Sequence, residues 1–130
     1  MNRRSLAAVV LALSWLNAAR AADARRFELP LPPAPSTQEA PTLAIEVGAI
    51  PRGTEIEIST PDGVPIGTVS PFAIRPGQPA GTYLFPLPAE AIQGGRVVVL
   101  LSMRRAGVAA RAPATDEVPK VSIVFMKVAP

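Results

Sequence analysis

The chain has 130 residues, with 13 Lys and Arg against 10 Asp and Glu, and it contains neither Cys nor His. These absences exclude disulfide frameworks, thiolate and imidazole metal sites, and catalytic arrangements that use His as the base. Sixteen Pro and nine Gly disfavour long helices. An enzyme made from this inventory would depend on carboxylates alone, so we expect a non-enzymatic protein with no cofactor and no metal.

The N-terminal segment (residues 1–21) has the features of a secretory signal peptide. Arg3-Arg4 precedes the apolar stretch Leu6–Leu16, which is too short to span a bilayer. An A-x-A site predicts cleavage between Ala21 and Ala22. We therefore expect export to the periplasm or the extracellular space, by the general secretory route in preference to the twin-arginine route.

Removal of the signal peptide changes the charge of the chain. Arg3, Arg4 and Arg20 leave with it and no acidic residue does, so ten basic and ten acidic side chains remain. A neutral mature chain has no bulk attraction for nucleic acid or for an anionic membrane. We expect neither as a partner. The length of the mature chain is that of one domain.

Residues 22–41 are predicted to be a Pro-rich linker or a strap on the surface. The run Pro30–Pro35 favours polyproline II geometry, in which the backbone is solvated and makes no regular ladder. The remaining residues, 42–130, are predicted to form the folded domain.

Alternation of apolar and polar residues between turn signals predicts a series of strands in the domain. The most apolar, Arg96–Arg104, is expected to be central, whereas Pro65 marks its strand as an edge. Ala89–Ile92 is expected to form one helical turn, and residues 106–119 a connection. The predicted strands are Leu43–Val47, Glu55–Ser59, Val64–Val69, Gly81–Leu87, Arg96–Arg104 and Lys120–Val128. The pattern predicts an all-β fold, a small Ig/fibronectin-like antiparallel β-sandwich of about six to seven strands.

The acidic residues do not predict a catalytic pair. Glu55 and Glu57 project from the same face of one strand, opposite Ile56 and Ile58, so they belong on the solvent side. Asp116-Glu117 is interpreted as ordinary surface charge in a loop.

Two strands carry more apolar residues than one core face needs. The central strand places Val98 and Leu100 opposite its core face, and the last strand does the same with Val124, Met126 and Val128. If these strands are neighbours, one sheet has an apolar outer face, which soluble monomers rarely leave exposed. Its cover is expected to be the Pro-rich strap, a partner protein or a second copy of the chain.

Four segments of the chain follow one another in an order found in a known domain. They are Gly63–Phe72, Ala80–Leu87, Arg96–Leu101 and Val121–Phe125. These segments are similar to the xGTxSxF, AGxFxFxL, xVxVxLVP and VxIxxIxL steps of the β-sandwich domain that follows the copper domain of tyrosinases and polyphenol oxidases. The resemblance covers residues 43–128, although no copper domain is attached.

The resemblance implies a sandwich that packs over a copper domain and shields its substrate entrance with a loop side chain. In this chain the partner would be a separately encoded tyrosinase-like copper oxidase, and Phe72 is the candidate contact residue. A fibronectin-like envelope or carbohydrate-binding module is the alternative, and it would need an aromatic-lined shallow face.

Overall fold

Two antiparallel sheets face each other in the computed structural model, which describes residues 23–71 and 79–128. The all-β sandwich predicted from the sequence is confirmed. The predicted signal peptide and its cleavage site at Ala21 and Ala22 lie outside the described residues. The strands are β1 (Arg25–Pro30), β2 (Glu39–Val47), β3 (Glu55–Ser59), β4 (Pro65–Val69), β5 (Gly81–Pro86), β6 (Ile92–Gln93), β7 (Arg96–Arg105), β8 (Val108–Arg111) and β9 (Lys120–Lys127), with a 3₁₀ turn at Ala89–Ala91.

The large sheet is formed around β7, as its sequence predicts. Its order is β1-β7-β3-β4, and the short strands β6 and β8 also pair with β7. Val97 pairs with β1 and β6, and Met103 pairs with β3 and β8. β7 therefore has β1 and β8 along one side and β6 and β3 along the other. β4 is an edge, as Pro65 predicts.

The small sheet has the order β5-β2-β9. Opposite charges mark both ends of the β2–β9 pair, because Glu39 is opposite Lys127 and Glu46 is opposite Lys120. Opposite-charge pairs across strands favour one register, and a shift of one residue would also turn the apolar side chains away from the core. The charges and the apolar pattern thus select the same alignment.

The core lies between the two sheets and is filled by alternate residues of each strand. β7 contributes the residues that its sequence assigns to one face, and β2 contributes the facing set from the small sheet. Most of these side chains are fully buried. They are Leu43, Ile45, Val47, Ile56, Ile58, Val69, Val97, Val99, Leu101, Met103, Val118 and Val121.

The Pro-rich segment differs from its prediction. Residues 25–30 form strand β1, and β2 begins at Glu39, so only residues 31–38 connect the two sheets as a linker. A proline is tolerated at the end of β1 because an edge strand pairs on one side only. β6 and β8 were also not predicted, since each is a short strand that pairs only with β7.

The closest approach of the two sheets involves a residue with no side chain. Gly67 of β4 faces the core opposite Phe85 of β5, and a methyl group on Gly67 would overlap the Phe85 ring. Glycine lets a neighbouring group approach the backbone closely. Gly67 therefore lets β4 and β5 join the two sheets at this margin.

We expect Gly67→Ala to lower the free energy of unfolding by about 1–3 kcal/mol, the usual cost of overpacking a core. Urea denaturation of a chain of residues 22–130 measures this effect. Combining Gly67→Ala with Phe85→Leu should recover part of the loss, because the smaller side chain removes the overlap. Additive losses in the double variant would contradict the proposed contact.

Candidate functional site

The structure does not bring the predicted interface residues together. β7 and β9 lie in different sheets, so Val98 and Leu100 are on the outer face of the large sheet, whereas Val124 and Met126 are on the outer face of the small sheet. The single patch expected from neighbouring strands is wrong. The physical reason is that β7 pairs within the large sheet and β9 pairs with β2 of the small sheet, so their outer faces point to opposite sides of the sandwich. Phe72 lies outside the described residues.

On the large sheet, Val98 and Leu100 are covered within the chain. Glu28 of β1 is opposite Val98, which is only 7% exposed, and Arg26 is opposite Leu100. Glu28 accepts from Arg26 at 2.8 Å and lies 3.6 Å from Arg96. Arginine stems cover apolar surface while their charged ends remain in water. The Pro-rich segment thus covers this face with side chains of a paired strand instead of a strap.

A shallow groove crosses the same face beside Leu100. Its volume is about 470 Å³, and its walls include Asp23, Ser59 and Thr68. Two of its polar side chains already have partners: the Ser102 hydroxyl donates to the Asp23 carbonyl at 2.9 Å, and Arg104 lies 2.9 Å from the Glu57 carboxylate. The Ser102 and Arg104 side chains of the groove are therefore held by partners within the chain.

The outer face of the small sheet is apolar and open. We call it the small-sheet face and define it by Ala40, Thr42 and Ala44 on β2, Leu84 and Pro86 on β5, and Val124 and Met126 on β9. Leu84 and Met126 are 48% and 46% exposed, and Val128 just beyond β9 is 58% exposed. Two polar side chains lie within the face: the Thr42 hydroxyl donates to the Ala40 carbonyl at 3.4 Å, and Ser122 of β9 is opposite Ala44.

The shape of the small-sheet face follows from its sequence. β2 places small residues in the middle, and the neighbouring strands place larger ones on both sides, which leaves a shallow channel between two ridges. Leu84 was missed in the sequence analysis, although it alternates with the core residues Tyr83 and Phe85. That period-two signal was sufficient to place Leu84 on an outer face.

Glu117 is not the ordinary surface charge expected from the sequence. It is 7% exposed, and its carboxylate accepts two hydrogen bonds from Arg111, at 2.6 and 2.7 Å, and one from the Ala114 amide at 2.9 Å. The Gly48 amide donates to the Glu117 carbonyl at 2.8 Å. The hydrogen bonds from Arg111 lower the pKa of Glu117, burial opposes them, and the Ala114 amide lowers it further. Glu117 therefore fastens the loop after β8 to the end of β2.

The described residues contain no cluster of metal-binding side chains and no membrane-spanning helix. No group of three His, Cys, Asp or Glu side chains in residues 23–71 and 79–128 lies close enough to hold a metal ion. The same residues include no helix that is long and apolar enough to cross a membrane. Comparisons with protein-family models, with curated proteins and with solved structures give no match to this chain.

We expect Glu117→Gln to destabilise a chain of residues 22–130 by about 1–2 kcal/mol at neutral pH, because a charge-assisted pair is lost. The folded chain lowers the pKa of Glu117, so its contribution is full above the unfolded value of about 4.3. The contribution disappears as the pH falls through the folded pKa. Denaturation of both proteins at several pH values measures the difference, which should shrink in acid.

Glu28→Gln is the matched control for that experiment. The pKa of Glu28 is also lowered, chiefly by its hydrogen bond from Arg26, but the pair is exposed to solvent. We expect a much smaller effect on stability. A Glu117→Gln deficit that is the same at neutral and acid pH would contradict the assigned role of the ionised carboxylate.

Proposed function

We propose that the mature chain is an exported, non-enzymatic accessory protein that docks on another protein through the small-sheet face. The observation that supports this is the group of half-exposed apolar side chains on that face, with Leu84 and Met126 on its two ridges. Apolar surface of this kind gains free energy when a partner removes it from water. The charged side chains are at one end of the face, where Glu46 lies between Thr82 and Lys120.

The positions of the aromatic rings favour a protein partner over a sugar. Phe27, Tyr83 and Phe85 pack against the core, and Phe125 lies on the core-facing side of β9. A platform for sugars normally presents exposed rings to the ligand. Within the described residues, the outer face of the small sheet has no aromatic ring, and its exposed aliphatic side chains suit an apolar surface of a protein.

A separately encoded copper oxidase of the tyrosinase class is the partner that we propose to test. This choice is supported by the resemblance of β4, β5, β7 and β9 to steps of the sandwich domain in that class. Among these strands, β4 is an edge of the large sheet, and β5 and β9 are the two edges of the small sheet. β5 and β9 also form the two ridges of the small-sheet face. In this proposal the chain supplies in trans the cover that a C-terminal domain supplies in the resembled enzymes.

The area of the small-sheet face limits how it can be used. Three strands about 4.8 Å apart, over some seven residues each, give an area on the order of 300 Å². A stable interface typically buries about 800 Å² on each partner. The face alone is therefore too small for a stable dimer of this chain, and a lasting complex must include neighbouring surface.

We expect Leu84→Asp to weaken binding of the mature chain to a tyrosinase-class catalytic domain that lacks its own sandwich domain. The loss should be at least tenfold, because a charge replaces an apolar contact of about 1.5–3 kcal/mol. Biolayer interferometry with the immobilised catalytic domain measures the dissociation constant. Its oxidase activity, with and without the mature chain, reports whether the substrate entrance is shielded.

Val108→Asp is the control for the docking experiment. Val108 is 59% exposed on β8 of the large sheet, so the substitution adds the same charge at a similarly exposed apolar position on the other sheet. Binding by this variant should equal that of the unmodified chain. Equal losses in both variants, or no binding by the unmodified chain, would contradict docking through the small-sheet face to this class of enzyme.

A further inference from the structure

Strand β9 forms one edge of the small sheet, and no described strand pairs with its far side. The direction of its backbone groups follows from the ladder. The Pro41 carbonyl accepts from Leu87 on the β5 side, whereas the Gln38 carbonyl accepts from Val128 on the β9 side. Backbone groups alternate in direction along a strand, so Thr42 and its partner Val124 bond to each other. The amides and carbonyls at the free edge are those of Val121, Ile123 and Phe125.

Both faces of β9 are incompletely covered. Ile123 and Phe125 face the core but are only half-buried, and Val124 is half-buried on the outer face beside the exposed Met126. The large sheet reaches this margin only near the start of β9, where Arg25 donates to the Val118 carbonyl at 3.4 Å. A protein resting on the small-sheet face would cover one side of β9. A strand placed beside β9 would cover both.

The charges at the ends of β9 specify what such a strand should contain. Lys120 and Lys127 are exposed, and on the paired side they are opposite Glu46 and Glu39 of β2. A strand on the free side meets the same two lysines at the same spacing. Carboxylates at its two ends would complement them, and apolar residues at the successive positions between those ends would cover both faces.

The same charges disfavour a second copy of β9 as the added strand. Strand β9 has a lysine at each end and no acidic residue, so a second copy would bring two more lysines to the edge and no carboxylate to complement them. Lysine is also a residue that protects exposed edges from self-association. The charges therefore favour an acidic-ended strand over a second copy.

We propose that the free edge of β9 binds an extended segment of a partner protein as the fourth strand of the small sheet, and that this segment is apolar between two terminal carboxylates. This binding mode rests on the proposed docking function and adds the edge to the small-sheet face. Backbone bonds to Val121, Ile123 and Phe125 supply affinity. Lys120 and Lys127 select the segment.

The probe is an eight-residue peptide with glutamate at both ends and alternating valine and threonine between them. It is titrated into the isotopically labelled mature chain (residues 22–130) at low salt, and amide shifts are followed by NMR. We expect saturable shifts at Val121, Ile123 and Phe125. Affinity should be about tenfold higher than for the same peptide with lysine at both ends, and the difference should narrow as salt rises.

Two controls distinguish strand addition from nonspecific binding of the peptide. A glutamate-ended peptide that is N-methylated at the residues facing β9 keeps its side chains and loses the donors of the ladder, so it should not bind. In the double variant Lys120→Gln and Lys127→Gln, the new side chains are neutral and do not repel β2. This variant should bind the glutamate-ended and the lysine-ended peptide with equal affinity. The solution mass of the mature chain, measured by light scattering, should remain that of a monomer.

The outcomes distinguish this inference from the docking proposal. Binding by the glutamate-ended peptide with shifts along β9 supports strand addition, whether or not the copper oxidase binds. Absence of peptide binding, shifts confined to Leu84 and Ala44, or equal binding of the methylated peptide would overturn it, and docking on the small-sheet face would still stand. Concentration-dependent dimerisation with β9 amides protected from exchange would also overturn it, because the edge would then accept its own copy.

Discussion

The fold depends on one constraint, which is that β7 must have hydrogen-bonding partners on both sides along its length. Its core-facing side chains are fully buried, so water has limited access to satisfy the backbone of the strand. Four strands meet this need: β1 and β8 along one side, and β6 and β3 along the other. Two of them are short, and each begins or ends at a turn that returns the chain to β7.

This constraint explains why the segment before the domain is not a linker. β1 comes from residues 25–30 and pairs with residues 96–101, about seventy residues later in the chain. Its local sequence contains two arginines, ends in proline and has only Phe27 and Leu29 as an alternating apolar pair. Pairing with the most apolar strand of the chain overrides that weak propensity, because β-structure depends more on cross-strand packing than on local preference.

Strands that alternate or are apolar throughout could be predicted from the sequence. The positions of β7 at the centre of its sheet and of β4 at an edge were also predicted correctly. β3, β5, β7 and β9 are within a residue or two of their predicted limits, because period two is a local property. Which strands are neighbours is not a local property. The assumption that β7 and β9 are adjacent therefore joined Leu100 and Val124 into one patch, although they lie on opposite outer faces of the sandwich.

The ion pair that the buried Glu117 makes with Arg111 also could not be predicted from the sequence. Glu117 is one of two adjacent acids in a Pro- and Ala-rich loop, and both have the same local context. Of the two, Glu117 is the one that accepts two hydrogen bonds from the guanidinium of Arg111. Strand β8 places Arg111 at the distance that these bonds require. A bidentate pair of this kind needs two fixed backbones, so its existence depends on a strand that the sequence did not reveal.

The difference in strand number between the two sheets explains both the free edge of β9 and part of the exposed small-sheet face. The large sheet contains six strands and the small sheet three, yet both cover the same core. The small sheet is consequently narrower, and Ile123 and Phe125 at its edge are left half-buried over a core that continues beneath the large sheet. The half-exposed residues on the small-sheet face lie beside that same edge. One missing strand thus accounts for both the open edge and part of the open face, which is why we assign them to one partner and not to two.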